Sequence, residues 1–159
     1  MKILVVSDTH GDSTRLLKVL EDNKDFDALI HLGDGENDFS DAEMVYPYKG
    51  MIYVGGNCDY GFHQGEKAVS LGGIRIFCCH GHRYNVKSGV QLLAGVAKSN
   101  DCLFALYGHT HVPKIETFLG VQVMNPGSLT LPRDGSDRSY GVIEISPTGE
   151  VEMKIIPFK

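Results

Sequence analysis

Five apolar runs in this chain each stop at a short polar motif, and the five motifs share one chemistry. Lys2–Val6 gives way to Ser7-Asp8-Thr9-His10, and Ala28–Leu32 to Gly33-Asp34. Met51–Val54 gives way to Gly55-Gly56-Asn57-Cys58-Asp59, Gly73–Cys79 to His80-Gly81-His82, and Leu103–Tyr107 to Gly108-His109-Thr110-His111. Runs of this length, rich in β-branched residues, read as buried strands. In open α/β sheets the carboxyl ends of parallel strands form one rim where ligands bind, so the five stops can converge.

The elements between the stops set the fold class. Asp12 or Ser13 can cap a helix over Thr14–Asn23, whose Leu16, Leu17, Val19 and Leu20 share a side, so the first half reads β-α-β-(α)-β. The second half is mostly strand: Lys67–Leu71, Gly73–Cys79, Leu103–Tyr107, Lys114–Phe118, Val121–Met124, Tyr140–Ser146 and Val151–Ile156. A helix over Ser88–Lys98, with Val90, Leu93, Val96 and Ala97 at helical spacing, interrupts it. The expectation is an α/β protein, a four-layer α-β-β-α sandwich of two mixed sheets flanked by helices. Its 159 residues are expected to form one domain, 1–159.

Charge and cysteine content narrow the function. A formal net charge of −5 argues against extended nucleic-acid binding or adhesion to an anionic membrane, both of which need clustered Lys and Arg. The first apolar run meets Asp8 too soon for a signal peptide or a membrane span, so a cytoplasmic location is expected. Cys58, Cys78, Cys79 and Cys102 show no metal-type spacing and are expected to be reduced small residues of the core, with Cys78 and Cys79 facing opposite sides of a strand.

The donor set at the strand ends is carboxylate, imidazole and one amide. These suit borderline divalent metals, whereas Ca²⁺ and Mg²⁺ prefer more oxygen. Residues i and i+2 of an extended segment share a direction, so Asp8 with His10, and His109 with His111, can each present two donors to one region.

With its D-x-H, G-D, G-N-x-D, H-G-H and G-H-x-H motifs in this order, the chain resembles the calcineurin-like metallophosphoesterases, in particular their small single-domain phosphodiesterase group. The resemblance runs from Met1 to about Ser128 and takes in the loop Asn125-Pro126-Gly127-Ser128. It implies one metal held by Asp8, His10 and His111, and a second held by Asn57, His80 and His109, with Asp34 bridging the two. It implies two divalent ions, Mn²⁺ first, with Ni²⁺, Fe²⁺, Co²⁺ or Zn²⁺ as alternatives, and hydrolysis of a small phosphoester by an activated hydroxide. Asp34, Asn57, His80 and His82 are the expected catalytic residues. Gly108 is expected to keep a Cβ away from the pocket floor.

One position departs from related phosphoprotein phosphatases: Cys58 stands where they carry a histidine thought to protonate the leaving oxygen. A thiol is a poor acid for that role, and His82 is the next candidate. Among the other polar residues, Asp59 is expected either to tether the Asn57 loop or to serve ordinary turn chemistry, and His31 to be a satisfied buried histidine. His63 is expected in a solvated loop, Arg133 in a surface turn, and Asp38, Asp41 and Glu43 on a solvated helix face. The competing reading is a non-catalytic protein-binding scaffold of the same fold, like a retromer subunit. Homo-oligomerisation is left open.

Overall fold

Alternation along the first strand decides how the layers stack. In a computed structural model describing residues 1–159, β1 (Lys2–Val6) sends Leu4 and Val6 to one apolar cluster and Ile3 and Val5 to another, and all four are fully buried. A strand apolar on both faces must be covered on both, which is the situation of parallel strands inside α/β folds.

Two five-stranded sheets result. The first pairs β1 in parallel with β2 (Ala28–His31), and β2 in parallel with β3 (Gly50–Tyr53). Its other side is antiparallel, through β9 (Ser139–Ile145) and β10 (Val151–Pro157), in the order β10-β9-β1-β2-β3. The second has the order β4-β5-β6-β8-β7, from β4 (Glu66–Leu71), β5 (Ile74–Cys79), β6 (Phe104–Leu106), β7 (Lys114–Phe118) and β8 (Val121–Asn125). Strands β5, β6 and β8 run parallel, and both edge pairings are antiparallel.

Three apolar clusters fill the gaps between layers. Helices α1 (Ser13–Asp22) and α2 (Glu36–Val45) cover the outer face of the first sheet through Leu16, Leu20, Phe39 and Ala42. Ile3, Val5, Ile30, Cys78, Leu106 and Met124 pack between the sheets. Helix α3 (Gln91–Ser99) covers the second sheet through Leu93, Ala94 and Ala97, against Phe77, Cys79 and Val123. The architecture is therefore the expected α-β-β-α sandwich, and Cys78 and Cys79 do face different layers.

Three expectations need correction. Cys58 is exposed and lies in a loop, outside the core. Asp38 is buried at 3 % exposure, because its carboxylate turns inward to accept from the Thr9 hydroxyl and the Gly11 N–H. Helix α3 begins at Gln91 instead of Ser88, since Gly89 sits at φ 140° and breaks the helical path just before it. The expected cap of α1 is present, with the Asp12 carboxylate accepting from Arg15 N–H at 3.1 Å.

Candidate metal centre

The carboxyl ends of β1, β2, β3, β5 and β6 meet at one rim, and backbone bonds lock their loops together. Asp8 N–H donates to Gly33 O at 3.0 Å, His10 N–H to Asp34 O at 2.9 Å, and Gly108 N–H to His80 O at 2.9 Å. The backbone here is forced into an unusual shape. Asp8, His10, Asp34, His109 and His111 all have positive φ, between 47° and 67°. Left-handed backbone is uncommon outside glycine, and it concentrates at functional sites, where the surrounding structure over-determines it. No signal in the sequence disclosed this.

Six of the seven expected metal ligands bring donor atoms together. Asp8 Oδ1 lies 3.1 Å from His111 Nε2, 3.8 Å from His10 Nε2 and 3.9 Å from His80 Nε2. Asp34 Oδ2 lies 3.4 Å from His80 Nε2 and 3.9 Å from His10 Nε2, and His80 Nε2 is 3.1 Å from Asn57 Oδ1. Asp8-His10-His111 and Asp8-Asp34-His80 each form a group able to hold an ion, and so does the unexpected set His10-Asp34-Cys58. His109 stands at the margin: its ring centroid is 5.2 Å from that of His80, and it joins none of these groups. His82 lies beside it, 6.2 Å from His109 and 5.5 Å from His80 between ring centroids.

Tautomers at the centre are set by backbone carbonyls. His80 Nδ1–H donates to Leu32 O at 2.7 Å, and His111 Nδ1–H donates to Leu131 O at 2.7 Å. Each neutral ring therefore turns an Nε2 lone pair inward, an arrangement common to metal-bound histidines. There those lone pairs face carboxylate oxygens, and Asp8 Oδ1 is fully buried with no hydrogen-bond partner. Electron pairs so opposed need a cation between them, either protons on the rings or a metal ion. The donor set fits divalent ions.

The charges respond to the same crowding. Burial works to raise Asp8, but His111, His80 and the Ser7 hydroxyl outweigh it and hold the carboxyl below its ordinary range. Burial likewise opposes ionisation of Asp34, and His80 with the Cys58 N–H overcomes it. His109 is pushed down to about 4 by burial, then by His80 and Lys87. Burial and the nearby Asp34 carboxylate push the Cys58 thiol up.

Supporting residues hold these donors in place. Ser7 Oγ donates to Asp8 Oδ2 at 2.6 Å, and His109 N–H donates to the same oxygen at 3.0 Å. Ser128 Oγ donates to Asp8 O at 2.8 Å, so the Asn125–Ser128 loop serves to pin the first strand end. Asp59 accepts from Asp34, Gly35, Glu36 and Gly56 N–H and from Tyr53 Oη, which ties the Asn57 loop to the start of α2. His31 is fully buried and satisfied: Nδ1 accepts from Gly33 N–H, so Nε2–H donates to Thr9 Oγ1, whose hydroxyl donates to Asp38. His63 lies exposed in its loop, as expected, and is also paired with Glu36 at 2.8 Å and packs edge-on to Tyr53. Gly108 behaves as expected, since a Cβ there would stand 1.9 Å from Ser7 Oγ and 2.8 Å from Asp8 Oδ2.

Known families agree with this geometry. The calcineurin-like phosphoesterase superfamily domain matches residues 1–148. The chain belongs to that superfamily. It is 37% identical over 140 residues to a probable metallophosphoesterase of Mycoplasma pneumoniae, covering 84% of this chain and 82% of the relative. It is 30% identical over 168 residues to the phosphodiesterase YfcE of Escherichia coli K12, covering 91% and 88%. Among solved structures, a Streptococcus pneumoniae protein described as a predicted phosphoesterase superposes with a TM-score of 0.79 at 28% identity, covering 99% of this chain and 97% of the other. Vps29 of Entamoeba histolytica shares the fold with a TM-score of 0.76 at 19% identity over the whole of both chains. As a calcineurin-like phosphoesterase the chain is a metal-dependent hydrolase of phosphoesters. None of its helices is long and apolar enough to cross a membrane.

Proposed function

We propose that residues 1–159 act as one domain, a cytoplasmic phosphodiesterase that works with two divalent ions, Mn²⁺ or Ni²⁺ first among them. Asp8, His10 and His111 would hold one ion and Asn57, His80 and His109 the other, with Asp34 shared between them. The observation that carries this reading is Asp8 Oδ1, buried, without a hydrogen bond, and 3.1 Å from an imidazole nitrogen whose proton is committed elsewhere. Such ions supply the activation of water, lowering its pKa from about 15.7 toward 7, and offset the charge of the phosphoryl group.

The chain's own residues do the rest. Leu32 O and Leu131 O fix which nitrogens of His80 and His111 face the centre. Ser7 and the His109 N–H hold Asp8 Oδ2, and the Cys58 N–H holds Asp34 Oδ1, so that in each carboxylate the other oxygen stays free for the site. Asp59 and Ser128 stop the loops from drifting. Protonation of the leaving oxygen is the weak step, because a raised thiol at Cys58 is a poor acid. His82, held below its ordinary range by burial and His80, is mostly neutral near pH 7.

Metal analysis of the purified chain, coupled to hydrolysis of bis(4-nitrophenyl) phosphate with added Mn²⁺ or Ni²⁺, tests the reading. Two bound ions and turnover support it. Absence of bound metal under all conditions would sink it, and bound metal with no turnover on any phosphoester would favour the scaffold.

A further inference from the structure

Two clefts flank the candidate centre, and their charges are opposite. One, of about 240 Å³, opens onto the ligand candidates His10 and Asp34 and is walled beyond them by Glu36, Asp38 and Asp59. The other, of about 440 Å³, is lined by Lys87, Lys114 and Arg133 against a single carboxylate, Glu116, over a partly apolar floor that includes Val86 and Tyr107. This second cleft adjoins the centre directly. Val86 and Lys87 also line the small cavity holding His82 and His109, and Thr110, between His109 and His111, lines the large one. Arg133 N–H donates to His111 O at 3.3 Å, which seats that residue beside the rim.

The cations differ in what they are free to do. Lys114 is engaged by Glu116 at 2.9 Å. Lys87 and Arg133 are exposed and belong to none of the ion pairs formed by Lys and Arg in this chain, despite its net charge of −5. Unpaired cations above a cleft of this size, within the range of about 300–1,000 Å³ typical of small-molecule sites, suit a ligand with an anionic end and a less polar body.

We infer that this cleft seats one ester arm of the substrate, and that Lys87 and Arg133 select an arm carrying its own phosphate. The inference rests on the phosphodiesterase reading above. The acidic cleft repels such an arm, so the charge difference sets which way round the diester lies, with its uncharged leaving arm on the side of Cys58 and Tyr60.

The test compares thymidine 5′-(4-nitrophenyl phosphate) with its 3′-phosphorylated form, two diesters with one leaving group, by release of nitrophenol. The wild-type chain is expected to favour the phosphorylated diester in kcat/KM by about tenfold or more, the scale of one charged hydrogen bond. Lys87→Ala and Arg133→Ala should each bring that ratio close to one, chiefly through KM, while Glu116→Gln, which frees Lys114, should raise it. A wild-type ratio near one, or variants that slow both diesters in parallel, overturns the inference and leaves the phosphodiesterase reading standing. Hydrolysis of neither diester with any added metal would overturn both.

Discussion

The backbone N–H of Cys58 donates to Asp34 Oδ1 at 2.8 Å, while Asp34 Oδ2 lies between His80 Nε2 at 3.4 Å and His10 Nε2 at 3.9 Å. One oxygen is tied to the chain and the other faces two imidazole nitrogens. Asp34→Asn keeps the shape and removes the charge. Its kcat is expected to fall by about 100-fold or more, a scale reached when a single electrostatic partner of a transition state is lost. Metal content should drop with it. Wild-type turnover at full occupancy in this variant would remove Asp34 from the bridging role.

Metal should also hold the fold together, because Asp8 and Asp34 are buried charges that an ion would neutralise. At about 100 times the dissociation constant, Mn²⁺ is expected to add about 2.7 kcal/mol to unfolding free energy. A chelator should reverse the rise in Tm. Thermal melts that ignore Mn²⁺, Ni²⁺ and Zn²⁺ alike would contradict a metal centre.

Gly108→Ala places a methyl group 1.9 Å from Ser7 Oγ and 2.8 Å from Asp8 Oδ2. The clash is with the two groups that aim Asp8 at the site, so the cost should appear twice. Stability is expected to fall by about 1–3 kcal/mol, the range for overpacking, and metal affinity should weaken. Calorimetry with and without Mn²⁺ measures both, and a variant equal to wild type in each would show that the loop yields freely.

With no strong acid at Cys58, rates should depend steeply on the acidity of the leaving group. Aryl phosphodiesters are expected to turn over far faster than alkyl ones, and Cys58→His should flatten the slope by rescuing the poorer leaving groups. A series of substituted phenyl diesters reads this directly. A flat slope in the wild type would mean that another group delivers the proton.

Thr9 relays between two buried groups, receiving from His31 and donating to Asp38. Thr9→Val retains the volume and breaks both bonds, leaving the His31 Nε2–H without an acceptor and the Asp38 carboxylate with only the Gly11 N–H. The expected loss is about 1–3 kcal/mol per stranded group, read as a lower denaturant midpoint with unchanged slope. A variant as stable as wild type would mean that water replaces the hydroxyl.

What could be read from the sequence was whatever depends on neighbours along the chain. Lys2–Val6, Ala28–Leu32 and Gly73–Cys79 show their strands because each is apolar over its whole length, and Asp8, Asp34 and His80 stand out because polar residues stop those runs. Partners brought from elsewhere stayed hidden. Asp38 follows the spacing of a solvated helix face, and only Thr9 and Gly11, from the loop after another strand, make its burial favourable. His63 shows no sign of Glu36, twenty-seven residues earlier, that captures it. Cys58 reads as a small hydrophobe by composition, yet it sits in a loop whose shape is set by Asp59.

The five left-handed residues at the rim, Asp8, His10, Asp34, His109 and His111, carry a consequence for anyone who breeds this chain for heat resistance. Glycine relaxes each of them by up to about 1 kcal/mol. A selection scored on survival in a chelator, where no metal rewards the ligands, will drift toward glycine there, and its sturdiest winners will be inert.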